Sequence, residues 1–128
     1  MKIEHLAIYA EDLERLRAFY IRYFGCECGP RYENKSKNFT SYFLGFGDGS
    51  ARIEIMHVPG LIAGNNSDKC LGLAHFALSV GSKAQVDALT ERLRADGYTI
   101  LSAPRTTGDG YYESAVADPE GNYVEITQ

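Results

Sequence analysis

An internal repeat constrains the fold of this chain more than any other feature of its sequence. Residues 3–10 read Ile-Glu-His-Leu-Ala-Ile-Tyr-Ala, and residues 73–80, seventy positions later, read Leu-Ala-His-Phe-Ala-Leu-Ser-Val. The histidine, one alanine and the apolar positions keep their register in both copies. A sequence that repeats in this way is built from copies of one supersecondary unit. The fold therefore depends on the elements that come after each copy.

A helix pattern and three strand-like runs come after each copy. The first helix begins after Asp12, a good N-cap, and stops at Gly25. The second begins with the capping box formed by Ser82 and Gln85, and Gly97 stands at its end. The strand-like runs span residues 27–32, 40–45 and 51–57 in the first copy, and 98–101, 112–117 and 122–127 in the second.

This order predicts an α+β fold, in which two tandem βαβββ modules form a curved, mostly antiparallel sheet around a central cavity. Two such open units cannot each bury a sheet face alone, so we expect them to pair edge to edge around a shared concavity. The 128 residues fit one domain, spanning 1–128. Its repeats are residues 1–58 and 70–128, and residues 59–69, with two glycines and two asparagines, read as the linker.

Charge and composition exclude several classes of partner. Thirteen Lys and Arg against seventeen Asp and Glu give a net charge of −4 without a basic cluster, which argues against nucleic acid and anionic membranes. No apolar stretch approaches the roughly 18 residues of a transmembrane helix, and residues 1–5 lack a secretion-signal pattern, so we expect a cytoplasmic protein. Cys26, Cys28 and Cys70 are odd in number and lack zinc-knuckle spacing, which favours reduced thiols.

Two histidines and two glutamates share one face of the predicted sheets. Side chains alternate along a strand, which places His5 and Glu54 of the first copy on the face away from the helix. His75 and Glu125 of the second copy take the corresponding positions. Carboxylates in an enclosed groove are costly unless a cation or a metal pairs with them. His57 has the opposite parity and is expected at the surface.

Two explanations of this set remain open. Arg52 or Arg105 could satisfy the glutamates in a structural ion pair, and a single sheet histidine is commonly only hydrogen-bonded. A divalent metal accounts for all four residues, since two imidazoles and two carboxylates suit Ni²⁺, Zn²⁺, Fe²⁺, Mn²⁺ or Co²⁺. Tyr9 and Met56 share the same predicted face, and Tyr112 is expected either to line the substrate surface or to lie in the core.

The motifs around these residues resemble the vicinal oxygen chelate superfamily of glyoxalases, bleomycin resistance proteins and dioxygenases. His5 lies in the first strand, Glu54 in Arg-Ile-Glu-Ile, His75 in Leu-Ala-His-Phe-Ala-Leu, and Glu125 follows Asp-Pro-Glu-Gly-Asn. The resemblance covers essentially the whole chain and is nearest to glyoxalase I, the lactoylglutathione lyase. It implies that these four residues are the metal ligands.

The resemblance also implies a function. A metal-dependent lyase or isomerase would chelate vicinal oxygens of a small substrate and stabilise an enediolate, with Glu125 or Glu54 moving the proton. Ni²⁺ or Zn²⁺ is the most expected ion, and the resemblance implies a homodimer. The alternatives are a dioxygenase or thiol transferase of the same fold, or a non-enzymatic antibiotic-binding protein. Members with three ligands usually lack the first glutamate, so Glu54 favours the lyase branch.

Two departures from glyoxalase I concern the substrate. Tyr9 stands where the family has an arginine that meets glutathione, and Val58 stands where it has an asparagine. Both changes remove polar contacts for a charged tripeptide. We therefore expect a smaller or more apolar substrate lying against Tyr9 and Met56.

Overall fold

The computed structural model describes residues 1–47, 51–62 and 71–128. The turn at residues 48–50 and most of the predicted linker, residues 63–69, lie outside the described residues, as does Cys70. The chain divides into two compact units, Met1–Ala63 and Gly64–Gln128. Each unit carries one helix and a sheet of its own.

The first unit follows the order βαβββ with one additional short strand. The elements are β1 (His5–Tyr9), α1 (Leu13–Phe24), β2 (Glu27–Cys28), β3 (Tyr32–Asn34), a 3-10 turn (Lys35–Lys37), β4 (Phe39–Gly45) and β5 (Arg52–His57). The sheet has the order β1-β5-β4-β2, and β3 also pairs with β4. Strands β1 and β5 are parallel, and the other pairs are antiparallel.

The second unit repeats this topology. The elements are β6 (Phe76–Ser79), α2 (Lys83–Ala95), β7 (Ile100–Thr106), β8 (Tyr112–Ala117) and β9 (Tyr123–Thr127). The sheet has the order β6-β9-β8-β7, with β6 parallel to β9 and the other pairs antiparallel. The predicted α+β class is confirmed, with a mixed sheet and one helix in the described part of each unit.

Both helices begin where their sequences predict. Asp12 accepts a hydrogen bond from the backbone N–H of Arg15 at 3.0 Å, and Ser82 accepts one from that of Gln85 at 3.3 Å. Gly25 ends α1 with a left-handed φ of 64°, a backbone conformation that residues with a Cβ rarely adopt. Neither α1 nor α2, the helices of the described residues, has the length and apolar character needed to cross a membrane.

Each helix packs against one face of its own sheet. The strand residues that face the helix alternate with residues that point away from it, as the strand period requires. The side chains of the other face are therefore free to form a polar site. Fully buried apolar residues are Leu16, Phe19, Tyr20, Leu44 and Ile55 in the first unit, and Val86, Leu93, Val116, Val124 and Ile126 in the second.

Two strands differ from their predicted spans. The predicted run 27–32 is interrupted, because only Glu27–Cys28 and then Tyr32–Asn34 pair with β4. Strand β7 extends to Thr106, beyond the predicted end at residue 101. Pro104 lies within it where the register with β8 shifts between Ser102 and Arg105. A proline has no backbone N–H to donate to the neighbouring strand, so it is found at bulges and on edge strands.

Candidate metal centre

The parallel pairing of β1 and β5 brings His5 and Glu54 together in the first unit. Glu54 lies opposite Ala7 in this ladder, two residues beyond His5. The Nε2 atom of His5 is 3.9 Å from Oε2 of Glu54, whose side chain is only 15% exposed. Ile53 and Ile55 are buried under the helix, so the side chain of Glu54 points to the other face.

The second unit contains the same pair in the same relation. Glu125 lies opposite Ala77 in the parallel ladder of β6 and β9, two residues beyond His75. The Nε2 atom of His75 is 3.3 Å from Oε2 of Glu125, whose side chain is 17% exposed. Val124 and Ile126, on either side of Glu125, are fully buried. Each unit therefore places one imidazole and one half-buried carboxylate side by side on the helix-free face.

The Asp-Pro-Glu-Gly-Asn segment is the turn that leads into β9. The Asp118 carboxylate is buried and accepts backbone N–H bonds from Glu120 and Asn122, both at 2.9 Å. The side-chain amide of Asn122 donates to the second carboxylate oxygen at 2.9 Å. Gly121 adopts a φ of 83° and donates its N–H to the Asp118 carbonyl. This network fixes the start of β9, and with it the position of Glu125.

The arginines are engaged with other carboxylates than those of the candidate ligands. Arg52 forms its ion pair with Glu4, and Arg105 lies 3.5 Å from Glu113. Within the described ranges no ion pair joins an arginine to Glu54 or Glu125. The purely structural explanation of the two glutamates, an ion pair with Arg52 or Arg105, is therefore not what the structure contains.

The surroundings of the two pairs differ. In the first unit Phe43 lies opposite Glu54, and its ring makes an edge contact with His5 at a centroid distance of 5.5 Å. In the second unit the residue opposite Glu125 is Ala115. The His75 ring instead packs on Tyr123 at 5.7 Å. Burial, followed by the charge of Glu125, raises the pKa of the Tyr123 hydroxyl.

Of the predicted substrate-contact residues, two lie beside the first pair. Tyr9 and Met56 are opposite each other in the ladder of β1 and β5. Tyr9 is 55% exposed, and its alternation with buried Ile8 places it on the face of His5. These two side chains therefore form a surface next to His5 and Glu54, one apolar and one carrying a hydroxyl.

Tyr112, in contrast, lies on the helix side of its sheet, which corrects its assignment to the substrate surface. Its hydroxyl donates to Asp87 of α2 at 2.7 Å, and this bond raises the pKa of Tyr112. The ammonium group of Lys83, also in α2, is 5.1 Å from the ring centroid. The next residue, Glu113, takes the face of Glu125 instead, because Glu113 pairs with Thr127 and strand residues alternate.

The third histidine has a structural role. His57 lies at the end of β5 and donates from Nδ1 to the carbonyl of Ala10 at 2.9 Å. Its parity is opposite to that of Glu54, so it does not join the pair. This bond ties the end of β1 to the end of β5.

The donor atoms of each pair fit a divalent cation. Two nitrogen or oxygen ligands held at about 2.1 Å by one tetrahedral or octahedral ion lie about 3.0–3.4 Å apart. The 3.3 Å separation in the second unit falls in this range, and the 3.9 Å separation in the first needs only a small side-chain rotation. Among the described residues, no group of three or more His, Cys, Asp or Glu is arranged so that it could hold a metal ion. Each unit therefore presents two candidate ligands, one nitrogen and one oxygen.

Comparisons with known proteins find similarity over nearly the whole chain. The model of the Glyoxalase/Bleomycin resistance protein/Dioxygenase superfamily matches residues 2–126. An uncharacterized protein of Bacillus subtilis is 31% identical over 128 residues, which cover 97% of this chain and 96% of that protein. The lactoylglutathione lyase of Salmonella typhimurium is 28% identical, over 100% of this chain and 93% of the enzyme. The solved structure of Leishmania major glyoxalase I shares the fold, with a TM-score of 0.80 at 23% identity over 100% of this chain and 86% of that one.

Proposed function

Because the chain belongs to the Glyoxalase/Bleomycin resistance protein/Dioxygenase superfamily, we propose that it is a metal-dependent lyase or isomerase of the glyoxalase I kind. Residues 1–128 act as one glyoxalase-like domain, and the two His–Glu pairs together hold one divalent ion, Ni²⁺ or Zn²⁺ before Fe²⁺, Mn²⁺ or Co²⁺. The observation that supports this function is the repeated pair itself. In both units a histidine Nε2 faces a glutamate Oε2, at 3.9 Å and 3.3 Å, on the helix-free face of the sheet.

The chemistry of the site follows from its side chains. A bound divalent cation supplies Lewis-acid stabilisation of the negative charge that develops on adjacent substrate oxygens when a carbon acid loses a proton. His5 and His75 would hold the ion through a ring nitrogen and would transfer no proton to or from the substrate. Glu54 and Glu125 are the two candidate bases, because a carboxylate at this place accepts a proton from one carbon and returns it to the next.

The surface beside the first pair suggests the substrate class. Tyr9 stands where glyoxalase I has a charged arginine, and Met56 beside it contributes a thioether side chain. Val58, directly after β5, offers no hydrogen bond from its side chain. We therefore propose a small substrate with two vicinal oxygens whose remainder is more apolar than glutathione.

The proposed enzyme is a homodimer, in which each metal takes one His–Glu pair from each subunit. Among the described residues, β1 pairs only with β5 and β6 pairs only with β9, so each has one edge without a strand partner. Ile3 and Leu73, two residues before His5 and His75, are both exposed. Uncovered strand edges with exposed apolar residues are features that natural proteins usually pair or cover.

Metal content after purification and reloading tests the proposed function. We expect about one Ni²⁺ or Zn²⁺ per chain by mass spectrometry, and a loss to background when any ligand is removed. His57→Asn is the matched control, since the His57 ring bonds to the backbone carbonyl of Ala10 and its loss should leave the metal content unchanged. The ligand variants are His5→Ala, Glu54→Ala, His75→Ala and Glu125→Ala, each of which removes the donor atom.

Turnover on a panel of 2-oxoaldehyde–thiol adducts completes the test with the metal-loaded protein. Stoichiometric metal with turnover of at least one adduct supports a lyase or isomerase. Retention of stoichiometric metal by the His75→Ala variant would contradict the ligand set. Substrate binding without turnover by the loaded protein would favour a binding protein of the same fold.

A further inference from the structure

The two half-sites differ in the groups that lie behind their histidines. In the first unit the Nδ1 atom of His5, on the side of the ring away from Glu54, is 2.5 Å from Oε2 of Glu4. The other oxygen of Glu4 accepts a hydrogen bond from the Arg52 guanidinium. The backbone N–H of Arg52 also donates to the Glu4 carbonyl at 3.0 Å, so Glu4 is held by both its backbone and its side chain.

Arg52 also supports the His5 ring indirectly, through the ring of Phe43. The guanidinium of Arg52 lies 4.2 Å from the centroid of the Phe43 ring, a cation–π contact. Phe43 in turn meets His5 at an interplanar angle of 88°. Glu4, His5, Phe43 and Arg52 therefore form one cluster, the Glu4 cluster, in which the histidine is contacted by Glu4 at Nδ1 and by the Phe43 ring in a T-shaped arrangement.

The second half-site lacks this cluster. Ala74 precedes His75 where Glu4 precedes His5, and Tyr123 stands two residues before Glu125 where Arg52 stands before Glu54. Ala115 replaces Phe43 opposite the glutamate. Both units have the same His–Glu pair. The two units differ in the residues that surround the histidine.

The position of Glu4 decides which nitrogen of His5 is free. A neutral imidazole carries one proton, and an ionised carboxylate can only accept a hydrogen bond. The proton must then lie on Nδ1, and the lone pair of Nε2 points toward Glu54. Histidines that bind metals commonly donate their second N–H to a carboxylate, which fixes the tautomer and the ring orientation.

We propose that Glu4 is a positioning residue that holds His5 in the Nδ1–H tautomer and so presents Nε2 as the ligand atom. The effect of Glu4 on metal binding rests on the proposed function. Its effect on the His5 tautomer does not, because that tautomer is set in the metal-free protein. Arg52 completes the arrangement by orienting the Glu4 carboxylate. Since Ala74 offers His75 no such acceptor, the role belongs to the first half-site.

Long-range ¹⁵N–¹H NMR of the metal-free protein at mildly alkaline pH reads the tautomer directly. We expect His5 as Nδ1–H in the wild type and as Nε2–H in Glu4→Ala, because Glu54 is then the carboxylate nearest to the ring. Glu4→Gln keeps an acceptor oxygen and should keep Nδ1–H. His75 is the internal control and should not change. A wild-type His5 in the Nε2–H form, or no change in Glu4→Ala, would overturn the role of Glu4.

Ni²⁺ competition against a chelator measures the consequence. Loss of a carboxylate behind a ligating histidine typically weakens metal binding by about 10- to 100-fold. We expect at least about a tenfold loss in Glu4→Ala, with most of the affinity recovered in Glu4→Gln and none lost in Glu33→Ala, an exposed glutamate of β3. Equal affinities of wild type and Glu4→Ala would overturn the inference and leave the metal site intact. A wild type that binds no Ni²⁺ would reject the proposed function, and the NMR result would still decide the role of Glu4.

Discussion

Replacing Asp118 with alanine removes the carboxylate that shapes the turn before β9. The substitution leaves the backbone N–H groups of Glu120 and Asn122 without the acceptor that each now has at 2.9 Å. It also removes the partner of the Asn122 side-chain amide. Because Glu125 follows this turn by a few residues, the loss affects the segment that delivers a candidate ligand.

The magnitude follows from these bonds. Hydrogen bonds to a charged group contribute about 1.5–3 kcal/mol each, and two backbone donors lose theirs. Part of this is offset, because Asp118 is only 4% exposed and its carboxylate has lost water contacts on folding. The net loss in the free energy of unfolding is therefore about 2–4 kcal/mol for Asp118→Ala. Asp118→Asn keeps one acceptor oxygen and should lose only about 1–2 kcal/mol.

Urea unfolding followed by circular dichroism measures both values, provided that the slope of the free energy against urea is unchanged. Asp109→Ala is the matched control, since Asp109 is an exposed turn aspartate that accepts a hydrogen bond from Thr107. Its loss should stay below about 1 kcal/mol. If Asp118→Ala also cost less than about 1 kcal/mol, the turn would not depend on this carboxylate, and the reasoning from the motif to the position of β9 would be wrong.

Three further predictions concern the subunits, the substrate and the thiols. Co-expressed His5→Ala and His75→Ala chains should together regain metal at one site per mixed dimer if each site is shared between subunits, whereas a site within one chain would stay empty in both. Tyr9→Arg should gain roughly 10- to 100-fold in kcat/KM on the methylglyoxal–glutathione adduct through a charge-assisted contact. A wild-type kcat/KM above ~10⁵ M⁻¹s⁻¹ on this adduct would contradict the idea that Tyr9 removes a contact needed for glutathione. Burial raises the pKa of the Cys26 thiol to about 11, so about a thousandth is thiolate at about pH 8, and iodoacetamide mapped by mass spectrometry should label Cys28 long before Cys26. Equal labelling would show that Cys26 is accessible.

The sequence predicted those elements whose signals are local. The caps at Asp12 and Ser82 are as expected, because a capping side chain bonds to a backbone group only three residues away. The end of β7 was not predictable in the same way. Pro104 signals a break, yet the strand continues through it because the pairing with β8 shifts register there. That shift depends on the partner strand and on no local pattern.

The candidate ligands could be predicted, whereas their neighbours could not. Parity alone places Glu54 and Glu125 away from the helices, because buried residues flank each of them. The sequence leaves Tyr112 open between the substrate surface and the core, since the glycine-rich segment before it gives parity no anchor, and an error of one residue reverses every side chain of a strand. The position of Glu113 on the face of Glu125 follows only from the register between β8 and β9.

The repeat gives both units the same His–Glu pair, but it does not give the two glutamates the same surroundings. Backbone pairing within each unit sets the place of Glu54 and Glu125, but the residues across the ladder are free to diverge, and they are Phe43 and Ala115. The phenyl ring of Phe43 takes up more of the space across the ladder from Glu54 than the methyl group of Ala115 takes up across from Glu125, so a rotamer change is less restricted by this neighbour at Glu125. A base that moves a proton between two carbons must shift its oxygen between them. We therefore expect Glu125→Gln and Glu54→Gln to lower kcat unequally at equal metal content, with the larger loss in Glu125→Gln. Equal losses would show that the neighbours across the ladder do not distinguish the two glutamates.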